Sequence, residues 1–257
     1  MIHNELEKAG TETNYTYSAH FLLKSSSEIF KIPIHFCKYG DYLNNVEGFL
    51  HDDEHAYFQT LAYERRRTSY LLGRYSAKKA ISGLMGEDNP KKIRIENGIF
   101  NQPVAVCESN SNLQVSLTHC DELAAAVAFP EMLVIGIDME KIDLSMSSGV
   151  EAELTEHEKE LALQFPCPYE NLLMVLWTMK ESLSKVLKTG LTVPLRVLEV
   201  KRIEVQNGYY IGSFSNFAQY NSISFPVKDY IYSITYPKNA EIEIDIHHIK
   251  SNLHKML

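Results

Sequence analysis

Cysteine is scarce in this chain: Cys37, Cys107, Cys120 and Cys167 are scattered through 257 residues, and no C-x-x-C pair occurs. That scarcity excludes a disulfide scaffold or a thiolate zinc framework and points to reduced thiols in the cytoplasm. Long apolar runs are missing, which excludes a helical membrane span. The opening "MIHNELEKAGTETNYTY" lacks the apolar stretch of a signal peptide. Positive charge is in deficit, with 25 Lys and Arg against 33 Asp and Glu. The net charge of −8 argues against wholesale binding to nucleic acid or to an anionic membrane. No low-complexity segment or defensible sequence repeat is visible. What is present is ordinary for a soluble globular protein: 45% hydrophobic and 23% charged residues, enough for a sizeable core. The length suits one large domain or two small ones.

Residues 1–27 read as a polar, loosely packed leader ending in Ser25, Ser26 and Ser27. "EIFKIPIHFC" alternates as a strand does. "DDEHAYFQTLAYERRRTSYLLGRYSAKKAISGLMG" predicts one bent helix or two short ones, stopping before Gly86. "KKIRIENGIFNQPVAV" predicts a hairpin around Asn97 and Gly98, and "LQVSLTHCDELAAAVAF" predicts two strands. The joint between halves falls after Pro130, giving residues 28–130 and 131–257. The second half opens with "MLVIGIDME", apolar enough to be buried on both faces. Helical pattern follows in "VEAELTEHEKELALQF" and "YENLLMVLWTMKESLSKVLKTG", with Gly190 at the natural stop. "LRVLEVKRI", "GYYIGSF", "DYIYSITYP" and "EIEIDIHHIK" then read as strands.

Several residues could carry chemistry, and each has a plain alternative. Asp138 and Glu140 leave the same face of a strand end, where they are either a solvated terminus or half of a cation site. Glu181 and Lys185 lie four apart on a helix, in the order that favours an ordinary ion pair. Three carboxylates beside lysines are also what Mg²⁺ and a phosphate substrate require. His119, in "SLTHCDE", is either a structural hydrogen-bonder or part of a phosphate cradle with nearby hydroxyl and backbone donors. Arg65, Arg66, Arg67 and Arg74 are either a solvated helix face or a terminal-phosphate site, since a guanidinium fork binds two oxygens at once. "HDDEH" at 51–55 spaces two histidines as a zinc helix would, but it lacks the H-E-x-x-H arrangement and a third ligand.

In combination these segments resemble the 4′-phosphopantetheinyl transferase superfamily, in its monomeric surfactin-synthetase-type group. "IGIDMEK" is similar to the family's (V/I)-G-(I/V)-D-x-E strand, and "WTMKESLSK" to its (F/W)-(S/C/T)-x-K-E-(S/A)-x-x-K helix. "SLTH" resembles the S-x-S-H step with Thr118 for the second serine, and "YLLGRYSAKKAI" resembles the L-x-G-R-x-x-A segment. The matches run in family order from about residue 65 to 191. The resemblance implies an α+β fold of two similar halves related by a pseudo-twofold, with the site between them. It implies transfer of the 4′-phosphopantetheine arm of coenzyme A to a serine of an apo acyl, peptidyl or polyketide carrier protein, releasing 3′,5′-ADP. By position, Asp138, Glu140 and Glu181 would ligate Mg²⁺, and Thr118 and His119 would meet coenzyme A phosphates. Lys185 would balance the pyrophosphate charge with Lys180 nearby, Glu181 would take the serine proton, and Arg65, Arg66 and Arg74 would contact coenzyme A. Asn101 and Gln102 stand where many relatives carry G-K-P. Glu54 and Tyr57 stand near where the surfactin-type enzyme uses lysines. A monomer is expected, with no nucleic-acid or membrane partner. The competing readings are a non-catalytic binder of coenzyme A or a carrier, and a metal-dependent nuclease, which the acidic balance disfavours.

Overall fold

The computed structural model describes residues 15–25, 28–107, 112–143, 145 and 147–257. It is an α+β protein with two five-stranded antiparallel sheets. The first half contributes β1 (Thr16–Lys24), β2 (Ile29–Lys38), α1 (Asp52–Thr60), α2 (Glu64–Met85), β3 (Ile93–Asn97), β4 (Pro103–Cys107), β5 (Leu113–Cys120) and β6 (Leu123–Pro130). The second contributes β7 (Gly136–Lys141), α3 (Ser147–Ala152), α4 (Glu156–Ala162), α5 (Tyr169–Leu187), β8 (Val200–Gln206), β9 (Tyr209–Phe214), β10 (Tyr220–Val227), β11 (Tyr230–Pro237), β12 (Glu241–Glu243) and α6 (Ile246–Met256). Among the described residues no helix is long and apolar enough to cross a membrane.

The two halves repeat one plan. Strand order β2-β6-β5 in one sheet matches β7-β11-β10 in the other. A long helix covers each set, α2 over β2 and β6, α5 over β7 and β11. The hairpin β8-β9 continues its sheet, whereas its counterpart β3-β4 forms a separate two-stranded piece. Strand alternation sorts the faces. Ile34, Phe36, Ile137 and Met139 enter one core shared by the sheets and α6. Asp138, between Ile137 and Met139, therefore points to the helix side.

A buried carboxylate marks each half. His51 caps α1 through its Nδ1, and Glu54 Oε2 accepts from the His51 backbone N–H at 2.9 Å. Thr155 and Glu158 do the same for α4 at 2.8 Å. Glu54 Oε1 accepts from Ile95 N, and Glu158 Oε1 from Val200 N. Lys78 lies 2.6 Å from Glu54 and Lys180 2.7 Å from Glu158, all four side chains buried. The histidine of "HDDEH" is thus a helix cap.

Three expectations change. Within the expected leader, residues 1–14, 26 and 27 lie outside the described residues, but 16–24 is a strand, because Phe21 and Leu23 belong to the core. The run "EIEIDIHHIK" is a three-residue strand followed by a helix. Asp245 caps α6 by accepting from His248 N, and Ile246, Ile249, Leu253 and Met256 then recur at helical spacing. β12 pairs with β1, so the end of the chain closes the first half's sheet. Helix α5 ends at Lys188, which takes the left-handed turn expected nearer Gly190.

Candidate active site

Strands β5 and β7 meet where the two sheets adjoin, and side chains replace the backbone ladder there. Ser116 Oγ accepts from Ile137 N at 3.1 Å, and Thr118 Oγ1 accepts from Met139 N at 3.2 Å. Thr118 in turn donates to Asp138 Oδ1 at 3.1 Å. Lys185, one turn beyond Glu181 on α5, donates to the same Oδ1 at 2.7 Å and to the Ile137 carbonyl at 2.9 Å. Asp138 is buried, and its Oδ2 has no hydrogen-bond partner. An ionised carboxylate oxygen left bare inside a protein is costly unless a cation or donor reaches it.

Glu140 and Glu181 are half-buried beside it. Burial first, and then the charge of Asp138, raise both to about 7, with Lys185 opposing. Glu181 also raises Glu140, and the neighbouring Cys120 thiol lowers it. Among the described residues, no three His, Cys, Asp or Glu side chains stand close enough to hold a metal ion as placed. The donor set nonetheless fits a hard divalent ion: three oxygen groups, one bare buried oxygen, and two carboxylates whose charge nothing nearby fully offsets.

Beside this cluster lies a cleft of about 550 Å³, lined by Tyr57, Tyr70, Arg65, Arg66, Arg74 and His119 among others. Arg65, Arg66 and Arg74 all lie on α2, where Tyr70 of the same helix donates to the Glu54 carbonyl of α1. Arg74 lies over the Tyr70 ring and donates to Asn97 Oδ1. Arg67 turns away: it donates to the Leu61 carbonyl at the end of α1 and covers Phe58. His119 is exposed, yet desolvation, then Lys185, lowers its pKa below the usual imidazole range. Across Leu117, a cavity of about 490 Å³ runs between Phe100, Ser116, Ile135, Lys185 and Lys188. Leu117 lines both spaces, so β5 carries them end to end.

The structure thus gathers Asp138, Glu140, Glu181 and Lys185 in one cluster, and Arg65, Arg66, Arg74 and His119 around the adjoining cleft. Two expected contacts lie elsewhere. Lys180 is fully buried against Glu158 and the Glu153 carbonyl, on the face of α5 away from the cluster. Thr118 is buried with its hydroxyl engaged by Asp138 and Met139, so it orders the carboxylate and does not face the cleft. Gln102 accepts from Phe100 N within its own turn and carries no positive charge toward the cavity it lines. Sequence reading named Ser116 in a phosphate cradle and Glu54 in place of a lysine, but not Ser116 at the strand junction or Glu54 in a buried ion pair; for Glu54 the repeated helix-start pattern, His51 with Glu54 and Thr155 with Glu158, was the available signal.

Comparison with known proteins bears on the second half. Residues 134–235 match the model of the 4′-phosphopantetheinyl transferase superfamily. That span holds β7 and α5 and with them Asp138, Glu140, Glu181 and Lys185. No curated protein matches the chain at a significant level. Among solved structures, the chain is similar to a holo-(acyl-carrier-protein) synthase from Bacillus anthracis str. Ames in complex with CoA (3′,5′-ADP). The identity is 22%, over 42% of this chain and 95% of that one, with a TM-score of 0.33.

Proposed function

We propose that the protein is a cytoplasmic, monomeric, Mg²⁺-dependent 4′-phosphopantetheinyl transferase of the surfactin-synthetase type, acting on an apo acyl, peptidyl or polyketide carrier protein. The observation that carries this is the carboxylate cluster on β7 and α5, inside the superfamily match and beside an arginine-lined cleft. An elongated donor with a multiply phosphorylated end suits that surface. Arg65, Arg66, Arg74 and His119 would receive the nucleotide phosphates of coenzyme A. The pantetheine arm would follow β5 past Leu117 into the neighbouring cavity.

Asp138, Glu140 and Glu181 would hold Mg²⁺, which when bound supplies polarisation of the attacked phosphorus and stabilisation of the leaving phosphate oxygen. Lys185, anchored by Asp138 and the Ile137 carbonyl, places a fixed positive charge toward the pyrophosphate. Glu181 takes the proton of the carrier serine as its oxygen bonds to the β-phosphorus. The bond from that phosphorus to the bridging oxygen breaks, and 3′,5′-ADP leaves with the electron pair. The nucleophile belongs to the carrier, so this chain needs to supply only positioning and charge.

Mass spectrometry of an apo carrier protein incubated with the enzyme, coenzyme A and Mg²⁺ tests the assignment. The expected result is a carrier heavier by one phosphopantetheine and an equivalent of 3′,5′-ADP. Carriers from fatty-acid, polyketide and nonribosomal-peptide systems, run side by side, rank the substrates. A carrier of every kind left unmodified while coenzyme A binds would reduce the protein to a binder.

A further inference from the structure

The two buried carboxylates, Glu54 and Glu158, share three kinds of contact and differ at one point. Around Glu158 the described contacts are Lys180, the Thr155 and Val200 N–H groups, and no arginine. Around Glu54 the matching three contacts recur, and a fourth is added: Arg74 Nε lies 3.7 Å from Oε1. That nitrogen is buried and makes no hydrogen bond. One carboxylate therefore faces two cations, Lys78 inside the protein and Arg74 in the wall of the cleft.

The consequence for Arg74 is orientation. Its Nε edge is turned inward to Glu54, its face rests on Tyr70, and Nη2 reaches Asn97 at the cleft. A guanidinium held on one edge presents the other to an anion with little freedom left to lose. We infer that Glu54 is a positioning residue for phosphate binding: it aims Arg74 at a phosphate of the nucleotide end of coenzyme A. This rests on the function proposed above. It also explains why an acidic residue can stand near where related enzymes carry a lysine: it acts from behind an arginine. Removing a nearby negative charge would by itself strengthen anion binding, so loss of affinity on neutralising Glu54 is the signature of positioning.

The test separates this role from fold stability with variants K78M, E54Q and the double variant E54Q/K78M. The last restores charge balance in the buried site. Binding of 3′,5′-ADP is measured by calorimetry, with E158Q as the control in the other half. K78M and E158Q are expected to keep affinity within about threefold, whereas E54Q/K78M loses about tenfold or more, the worth of one charge-assisted contact. Equal or tighter binding by E54Q/K78M, relative to K78M, overturns the inference alone. Wild-type protein that binds neither 3′,5′-ADP nor inorganic pyrophosphate overturns it together with the proposed function.

Discussion

Glu181 and Glu140 titrate near neutrality because burial and the Asp138 charge both penalise their ionised forms. Each binds its proton more tightly folded than unfolded. Between about pH 4.5 and 7 the folded chain therefore holds the extra protons, and this contribution to stability is complete below that window and lost as pH rises through it. Its upper bound is roughly 3.4 kcal/mol per carboxylate, from 1.36 kcal/mol per pKa unit, and less where solvent screens it. In metal-free buffer, E140Q and E181Q should gain melting temperature relative to the parent between pH 5 and pH 8. Parallel pH profiles for parent and variants would refute the coupling. Mg²⁺ should stabilise the parent at pH 8 more than at pH 5, by favouring the ionised carboxylates. E181Q should also lower carrier modification by about 100-fold or more, the usual worth of a general base, while its circular dichroism stays that of the parent.

At the level of elements, the site depends on how closely α5 approaches β7. Gly136 permits it, since a Cβ there would fall into the Ser182 carbonyl oxygen. Hydroxyls hold α5 to the adjacent strand β11: Ser182 Oγ lies 2.6 Å from Thr235 Oγ1, and Ser233 donates to Thr178 at 2.8 Å. G136A should cost about 1–3 kcal/mol, as overpacking does, and should reduce activity by moving Glu181 relative to Asp138. A variant with unchanged urea midpoint and rate would show that this approach is not needed. The hydroxyl interface also explains what the sequence concealed. β10 was not foreseen: its buried Ser222 and Ser224 break the apolar pattern of "QYNSISFPV". The motifs "IGIDMEK" and "WTMKESLSK" placed the carboxylates correctly on strand and helix, since periodicity says which face a residue takes. It does not say what stands opposite, and so Lys180 and Thr118 were misplaced. Their partners, Glu158 and Asp138, come from other elements. Breaking the Lys180 pair with E158Q should cost about 3–5 kcal/mol, by leaving a buried charge alone, and K180M/E158Q should recover part of it.

Over the whole molecule, two copies of one plan have diverged. Where the second half carries Asp138 on β7 and Glu181 after Lys180 on α5, the corresponding places of the first carry His35 on β2 and Lys79 after Lys78 on α2. His35 is buried, bonded to Ser18, and pushed down to about 3 by burial and then by Lys79. The first half thus keeps the fold without the acid cluster and supplies the arginine cleft. Because one chain brings both parts together, light scattering should give the mass of a single chain; twice that mass would contradict the monomer. The central claim is that Asp138, Glu140 and Glu181 share one divalent ion beside bound coenzyme A. Diffraction from crystals grown with coenzyme A and Mn²⁺ tests it most directly. The expected result is an anomalous peak within coordination distance of all three carboxylates and of the pyrophosphate. Coenzyme A bound in the cleft with no such peak, or with the metal held elsewhere, would contradict it.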